Sequence, residues 1–422
     1  MVGLIGTHDG KFHCDEAFAC FMLKRLNQFR DYTVVRTRDP VKLGTCDIVV
    51  DVGGVYDHSK KCYDHHQREF NETMQTLGVL DFNTKLSSAG LVYAHYGKQL
   101  IAEILGSSYD DKVVGILYRK IYESFVEAVD AIDNGISQYD GIPRYRIYGG
   151  LSERVEYLNP HWNEIDVNPD ERFQQAMELV GGEFESVVSY LFNIWWPARE
   201  IVENAIDHSF EVDSTGRIVV LKIGSVPWKE HIFQLEKEKD LTAQNMTYIV
   251  YSDATSKSYR IQAIPRNNLS KFENRLLLPK SWRGLRDAEL SSVSGIPDCI
   301  FVHATGFIGG NKTLEGALSM ARKAIEIGDT DQTVMDSRVA KIAGGIAITT
   351  AVTGFGVIGA LLYSRHLRSQ QQEYDCLSVA LEKLSSEVDL LRSELNELRA
   401  QRNSSVPRMK REGRIRSQST VE

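Results

Sequence analysis

The tripeptide Asp64-His65-His66 does most to limit what this chain can fold into, because of what stands around it. Two other clusters of acids and histidines precede it, Thr7-His8-Asp9-Gly10-Lys11-Phe12-His13-Cys14-Asp15-Glu16 and Asp47-Ile48-Val49-Val50-Asp51-Val52-Gly53-Gly54. A fourth follows in Asp130-Ala131-Ile132-Asp133-Asn134-Gly135. The β-branched runs at 32–36 and 47–50 predict strands, and Phe18, Phe21, Met22, Leu26 and Phe29 recur at helical spacing after the acidic start Asp15-Glu16. Strands alternating with helices predict an α/β fold with a parallel sheet. In such folds ligands gather beyond the carboxyl ends of the strands, where His8 and Asp51 fall.

Each residue alone has a plain structural explanation: Asp15 as a helix N-cap, Asp51 as a turn former before Gly53-Gly54, His65 as a satisfied surface histidine. Four clusters together favour a different reading. Imidazoles mixed with several carboxylates form the donor set that a pair of divalent cations such as Mn²⁺ requires. The fourth cluster ends a helix predicted over 110–135, with apolar Val114, Leu117, Ile121, Phe125 and Ile132 and the C-cap pair Asn134-Gly135. Asp130 and Asp133 share a face of it.

A mostly helical connector is expected next, with Trp195-Trp196-Pro197 marking a break. A second α/β unit is predicted over 210–327, with strands at 218–221, 248–251, 260–264 and 299–303 and a helix over 313–327. Residues 257–286 carry eight Lys or Arg against Glu273 alone, a stretch that suits either a phosphate backbone or a solvated strip, although the whole chain has a net charge of −8. The six scattered cysteines form no paired framework and no Cys-x-x-Cys, which predicts a reducing, intracellular compartment and argues against zinc. The first motif begins by residue 5, so no cleavable leader is expected ahead of it.

In the order of the four motifs the chain resembles the DHH phosphoesterase superfamily. The wording around them narrows the resemblance. Ile5-Gly6-Thr7-His8, Phe12-His13-Cys14-Asp15-Glu16-Ala17, Arg36-Thr37-Arg38-Asp39-Pro40, Lys85-Leu86-Ser87-Ser88-Ala89-Gly90, Trp282-Arg283-Gly284-Leu285-Arg286 and Gly306-Phe307-Ile308-Gly309-Gly310-Asn311-Lys312-Thr313 look like the melanocyte proliferating gene family of exonucleases, over roughly residues 3–327.

That resemblance implies a two-domain DHH-like fold: a catalytic domain over 1–155, a connector over 156–209 and a smaller α/β substrate domain over 210–328. It implies His8 and His13 on one metal, Asp51 as the bridge, and Asp15, His65 and a fourth-motif Asp on the second. Asp133 fits that last role best, with Asp130 the competitor. Asp64 and His66 complete the catalytic motif, His66 touching substrate phosphate. Many members of the superfamily carry Asp where His13 stands, which leaves the identity of the first metal open. The implied activity is a 3′-to-5′ exonuclease on single-stranded RNA with two Mn²⁺, or Mg²⁺, in nucleus and mitochondrion. Gly309, Gly310, Asn311 and Lys312 would hold the phosphate chain, supported by His303, Arg283 and Arg286, with Trp282 either stacking a base or filling a core.

Gly306-x4-Asn311-Lys312-Thr313 is one residue from a P-loop, but Asn311 stands where that loop needs glycine, so no ATPase is expected. Beyond residue 328 the resemblance ends. Residues 342–364 carry no charge and are long enough for one membrane span, and Gly354-x-Gly356-x-x-Gly359 falls inside this run rather than after a strand. Tyr374, Leu381, Val388 and Leu395 alternate with Leu377, Leu384, Leu391 and Leu398 as coiled-coil heptads. Residues 374–402 are therefore expected to self-associate, and 403–422 to form a polar, basic tail.

Overall fold

The computed structural model describes residues 2–106, 108, 111–268 and 273–331. The membrane span, the coiled coil and the basic tail expected from the sequence lie outside the described residues, and among those described no helix is long and apolar enough to cross a membrane. Residues 1–325 form one compact unit holding two five-stranded sheets.

The first sheet has the order β2-β1-β3-β5-β4, from β1 (Leu4–Thr7), β2 (Thr33–Arg36), β3 (Ile48–Val50), β4 (Tyr56–Asp57) and β5 (Cys62–Tyr63). All pairs are parallel except β4 with β5 at the edge. Helix α1 (Cys14–Arg25) is buried on nearly every side, including the acidic pair Asp15-Glu16 in its first turn. It stops before the predicted Leu26, whose extended backbone turns the chain away, yet Leu26 and Phe29 remain in the core.

Helices α2 (Pro40–Leu43), α3 (Ser88–Leu105), α4 (Lys112–Ile121) and α5 (Glu127–Asp133) follow. The helix expected over 110–135 is α4 and α5 joined by a π-turn at Tyr122–Val126. Past α6 (Leu151–Glu156) comes α7 (Pro169–Tyr190), which runs through a second π-turn (Leu191–Trp195) into α8 (Trp196–Asp207). Trp195-Trp196-Pro197 is therefore a wide turn, not a break: a π-turn tolerates the missing proline donor. Phe173, Val180 and Phe184 of α7 complete the first core while Val202 and Ile206 of α8 enter the second, so the expected connector is shared between both cores.

The second sheet, order β6-β7-β8-β10-β9, follows α9 (Ser209–Val212). It comprises β6 (Ile218–Leu221), β7 (Tyr248–Asp253), β8 (Ser258–Ala263), β9 (Cys299–Val302) and β10 (Ile308–Asn311), with α10 (Lys229–Glu238) and α11 (Asp287–Ser294) between. Only β6 and β7 pair in parallel. Strand β10 was not predicted, since Gly309-Gly310 reads as a loop. It forms because neighbours crowd it: a Cβ at Gly309 would lie 2.9 Å from Leu278 Cδ1, and one at Gly310 2.9 Å from Arg260 Nη1.

Candidate metal centre

The parallel register of β1 with β3 (Ile5↔Ile48, Gly6↔Val49) and of β3 with β5 (Val49↔Cys62, Val50↔Tyr63) carries three chain segments past one edge of the sheet together. His8, Asp51 and the Asp64-His65-His66 run therefore meet. Asp51 has φ +58°, the left-handed region that Asp tolerates better than most residues, and this turns its carboxylate back into the cluster. The first turn of α1 brings Asp15 and Glu16 to the same place, where the helix dipole favours negative charge.

Three groups of ligand-type atoms result: His8, His13, Glu16 and Asp51; Asp51, His65 and His66; and His13, Asp15 and Asp133. Asp51 and His13 each belong to two of them. His8 Nε2 lies 2.9 Å from Glu16 Oε1 and 3.3 Å from Asp51 Oδ2. His65 Nε2 lies 3.1 Å from Asp133 Oδ2 and 3.3 Å from Asp51 Oδ1, close but out of line for hydrogen bonds. Asp15 Oδ1, Asp51 Oδ1 and both His65 nitrogens are buried with no hydrogen-bond partner. Buried carboxylate oxygens and imidazole nitrogens with no donor or acceptor of their own fit divalent cations, which would supply the missing partner. No cysteine belongs to any group, and Cys14, Cys20, Cys46, Cys62 and Cys299 are free thiols.

The electrostatics follow from this crowding. Burial works to lower the His8 pKa, but the hydrogen bonds to Asp51 and Glu16 outweigh it and raise it to about 9. His65 is likewise raised, to about 10, by Asp133 and Asp51 against its burial. Burial raises the Asp15 carboxyl, with Asp133 adding to it, and raises Glu16 well above the ordinary range. Four carboxylates so placed repel one another unless protons or cations stand between them.

Glu16 belongs to the group around His8, a place its position in the first motif does not reveal. A helix-starting acid gives no sign of where it points; here it also accepts from the His13 amide at 2.9 and 3.0 Å, fixing the turn that carries His13. Asp133 and Asp130 are separated by their surroundings. Asp133 faces His65, whereas Asp130 is in none of the ligand groups. Asp130 is fully buried, accepts from Ser87 N at 3.0 Å, Ser87 Oγ at 2.7 Å and Tyr122 OH at 3.0 Å, and burial pushes its pKa up to about 7. It secures the start of α3, where Ser88 Oγ donates to Asp15 Oδ2 at 2.7 Å. Asp130 thus positions Asp15 through the Ser87-Ser88 pair. A Cβ at Gly90 would stand 2.3 Å from Asp130 Oδ1, so Gly90→Ala should destabilise the protein by about 1–3 kcal/mol in chemical denaturation, as overpacking does. An unchanged denaturation midpoint would remove this account of Asp130.

Asp64 accepts from Gly54 N at 2.6 Å and from His66 Nδ1 at 2.7 Å, so it orients His66, which is exposed and 3.6 Å from Asp51 Oδ1. His58 and His95, which the sequence left as structural, stack ring on ring at 3.7 Å and bond Tyr63 and Tyr56.

On the second sheet the expected phosphate cradle takes another form. Gly309, Gly310 and Asn311 form β10, paired with β8 on one side and β9 on the other. The Asn311 side chain is buried; its amide donates to Pro297 O at 2.8 Å and its oxygen accepts from Thr313 N at 3.0 Å. Thr313 caps the helix that begins at residue 314, its hydroxyl accepting from Gly316 N at 3.0 Å, and Asn311 holds Thr313 and is withdrawn from any phosphate. Trp282 is 2% exposed and is a core residue, so it cannot stack a base from that position. Lys312, Arg286 and His303 are exposed; Lys312 Nζ lies 3.5 Å from Asp298, His303 Nδ1 2.9 Å from Thr305 Oγ1, and the Arg286 guanidinium 5.8 Å from the Phe301 ring centre. The half-buried Arg283 donates from Nε to Leu278 O at 2.9 Å. The basic stretch is partly structural: Arg275 grips both Glu236 oxygens at 2.5 and 2.6 Å, and Arg260 pairs with Asp253 at 2.5 Å.

A sheet whose strand ends gather histidines and carboxylates in this way places the protein among α/β proteins equipped to hold divalent cations. Residues 4–325 match the MYG1 exonuclease family model, described as Uncharacterised protein family (UPF0160), and the chain belongs to that family. It is similar to the MYG1 protein C27H6.8 of Caenorhabditis elegans, 60% identical over 329 residues that cover 78% of this chain and 97% of that one. It is 53% identical to the MYG1 exonuclease of Homo sapiens over 323 residues, 76% of this chain and 85% of that one. With the MYG1 protein YER156C of Saccharomyces cerevisiae it shares 42% over 330 residues, 76% of this chain and 95% of that one. No solved structure matches.

Proposed function

We propose that this protein is a divalent-metal phosphodiesterase acting as a 3′-to-5′ exonuclease on single-stranded RNA. Its similarity to proteins named MYG1 exonuclease supports the nuclease class. The observation that carries the metal-dependent reading is the set of three ligand groups joined through Asp51 and His13, with partnerless buried oxygens on Asp15 and Asp51. Two cations held there, Mn²⁺ or Mg²⁺, supply a nucleophile from water at neutral pH and neutralise charge on the phosphodiester. His8, His13, Glu16 and Asp51 would hold one, and Asp15, His65, Asp133 and the shared Asp51 the other. His66, exposed and aligned by Asp64, stands ready to bond a phosphate oxygen or pass a proton to the leaving group. Lys312, Arg283, Arg286 and His303 are the residues of the second sheet that would bear on the chain of phosphates. A second reading, hydrolysis of short oligonucleotides or other small phosphates, gains from the commitment of Arg260 and Arg275 to internal ion pairs.

The test is a gel of the purified protein with Mn²⁺ and RNA labelled at one end or the other. Stepwise shortening from the 3′ end is expected. The double substitution Asp64→Ala with His65→Ala should abolish it in protein of unchanged circular dichroism. Shortening from the 5′ end overturns the polarity, and undiminished turnover in the double variant overturns the metal assignment.

A further inference from the structure

The stretch between Asp133 and the turn carrying His13 is unlike the rest of the surface. From residue 137 to 148 no backbone N–H donates a hydrogen bond to any described group, and the segment is an irregular arm with bends at 138–141 and 144–145, exposed along its whole length. Its apolar side chains are not tucked in: Tyr145 is 74% exposed, Tyr148 70%, and Trp162 beyond it 97%. Monomer surfaces scatter single apolar residues but rarely display such a run, and a run of this kind marks a binding surface.

The charges indicate the partner. Three acids beyond the arm are already engaged, Glu153 accepting from Gly149 N at 2.6 Å, Glu156 pairing with Lys11 at 2.7 Å and Glu164 with Arg172 at 2.9 Å, and Asp140 is the one acid within it. Among the described residues no acid forms an ion pair with Arg144 or Arg146, which are interleaved with Tyr145 and Tyr148. Aromatic rings alternating with guanidinium groups suit single-stranded nucleic acid, whose bases stack on the rings while its phosphates meet the cations. The position agrees, since the arm leaves the fold at Asp133, beside His65. It returns where Asn159 accepts from Phe12 N and donates to Phe12 O, both at 2.8 Å, next to His13. One root follows the helix that carries Asp133, and the other leads through α6 to Asn159, which holds the residue before His13.

We infer that residues 137–148, with Trp162, form a stacking arm that grips a single-stranded RNA chain at the rim of the metal centre, with Tyr145 and Tyr148 as base platforms and Arg144 and Arg146 on phosphates. This rests on the RNA-directed reading of the site. It assigns the non-reacting part of the substrate to a segment outside the second sheet. Loss of one platform should weaken binding about tenfold, within the range measured for base–aromatic stacking.

The test uses the full chain and a 12-nucleotide RNA carrying 2-aminopurine, with Ca²⁺ for binding and Mn²⁺ for turnover. Tyr145→Ala and Tyr148→Ala should each raise the dissociation constant about tenfold and remove the fluorescence quenching that reports stacking. Tyr145→Trp should restore both while Tyr145→Leu, apolar but unable to stack, should not. Cleavage of bis-p-nitrophenyl phosphate should not change in any of them. Wild-type affinity and quenching in Tyr145→Leu overturn the arm, as does a halved sedimentation mass of the arm variants, which would make it a contact between copies. If the wild type quenches and binds but leaves RNA intact with Mn²⁺, the exonuclease reading fails and the arm stands.

Discussion

Asp51→Asn is expected to lower Mn²⁺-dependent turnover by on the order of a thousandfold while leaving the metal-free protein as stable as before, or slightly more so. Asp51 belongs to two of the three ligand groups and is, among the described residues, the one carboxylate that faces both His8, through Oδ2, and His65, through Oδ1. On the proposed assignment, losing its charge would deprive both cations of a shared ligand. Asparagine keeps the shape and accepts the left-handed backbone at φ +58°, so the turn should survive. Without metal, Asp51 adds to the repulsion that raises Glu16, and a neutral amide relieves it. The measurements are turnover of a chromogenic phosphodiester in Mn²⁺ and the melting temperature in chelator. Turnover within tenfold of wild type would mean that the cations do not share this residue. A collapse of the melting temperature would mean that Asp51 serves the fold.

Metal binding should release about two protons per molecule near pH 7.5, and the product of the two affinities should rise by up to about a hundredfold per pH unit there. His8 is held up to about 9 and His65 up to about 10 by their carboxylate neighbours, so both carry protons in the metal-free protein at that pH. A cation cannot share an imidazole nitrogen with a proton, so each must leave. The sign for stability follows from the same shifts. Folded-state values above the unfolded value of about 6.5 make the protonated histidines stabilising, fully so below that pH. That stabilisation is lost as pH rises through 9 and 10. Chelated protein should therefore lose melting temperature between about pH 8 and 10, while protein with saturating Mn²⁺ should not. Calorimetric titration with Mn²⁺ in two buffers of different ionisation enthalpy counts the protons directly. Equal heats in both buffers would show that no proton leaves, and that these histidines are not ligands.

Much of the site could be read in the residues, because strand ends, helix starts and turn pairs are set by short stretches of chain. His8 after a strand, Asp51 before Gly53-Gly54 and the acidic start of α1 at Asp15-Glu16 each announce their place, and the parallel α/β pattern puts them at one edge. The expectations for residues 342–422 rest on equally local signals, an uncharged run and heptads, and lie outside the described residues. What the sequence could not supply was which way a side chain faces once neighbours from distant stretches arrive. Asp130 and Asp133 lie one turn apart on the same face and read alike. Only the start of α3, packed against α5 from more than forty residues away, gives Asp130 to Ser87 and leaves Asp133 for His65. Glu16 looked like an ordinary first-turn acid until parallel pairing of β1 and β3 set His8 against it. Gly309-Gly310 looked like a phosphate loop, and Trp282 like a stacking platform. Leu278, Phe301 and Arg260 press on those glycines so closely that only a bare strand fits, and Trp282 is buried in the core. Local chemistry named the candidate ligands; long-range packing, which no short stretch encodes, decided which of them meet.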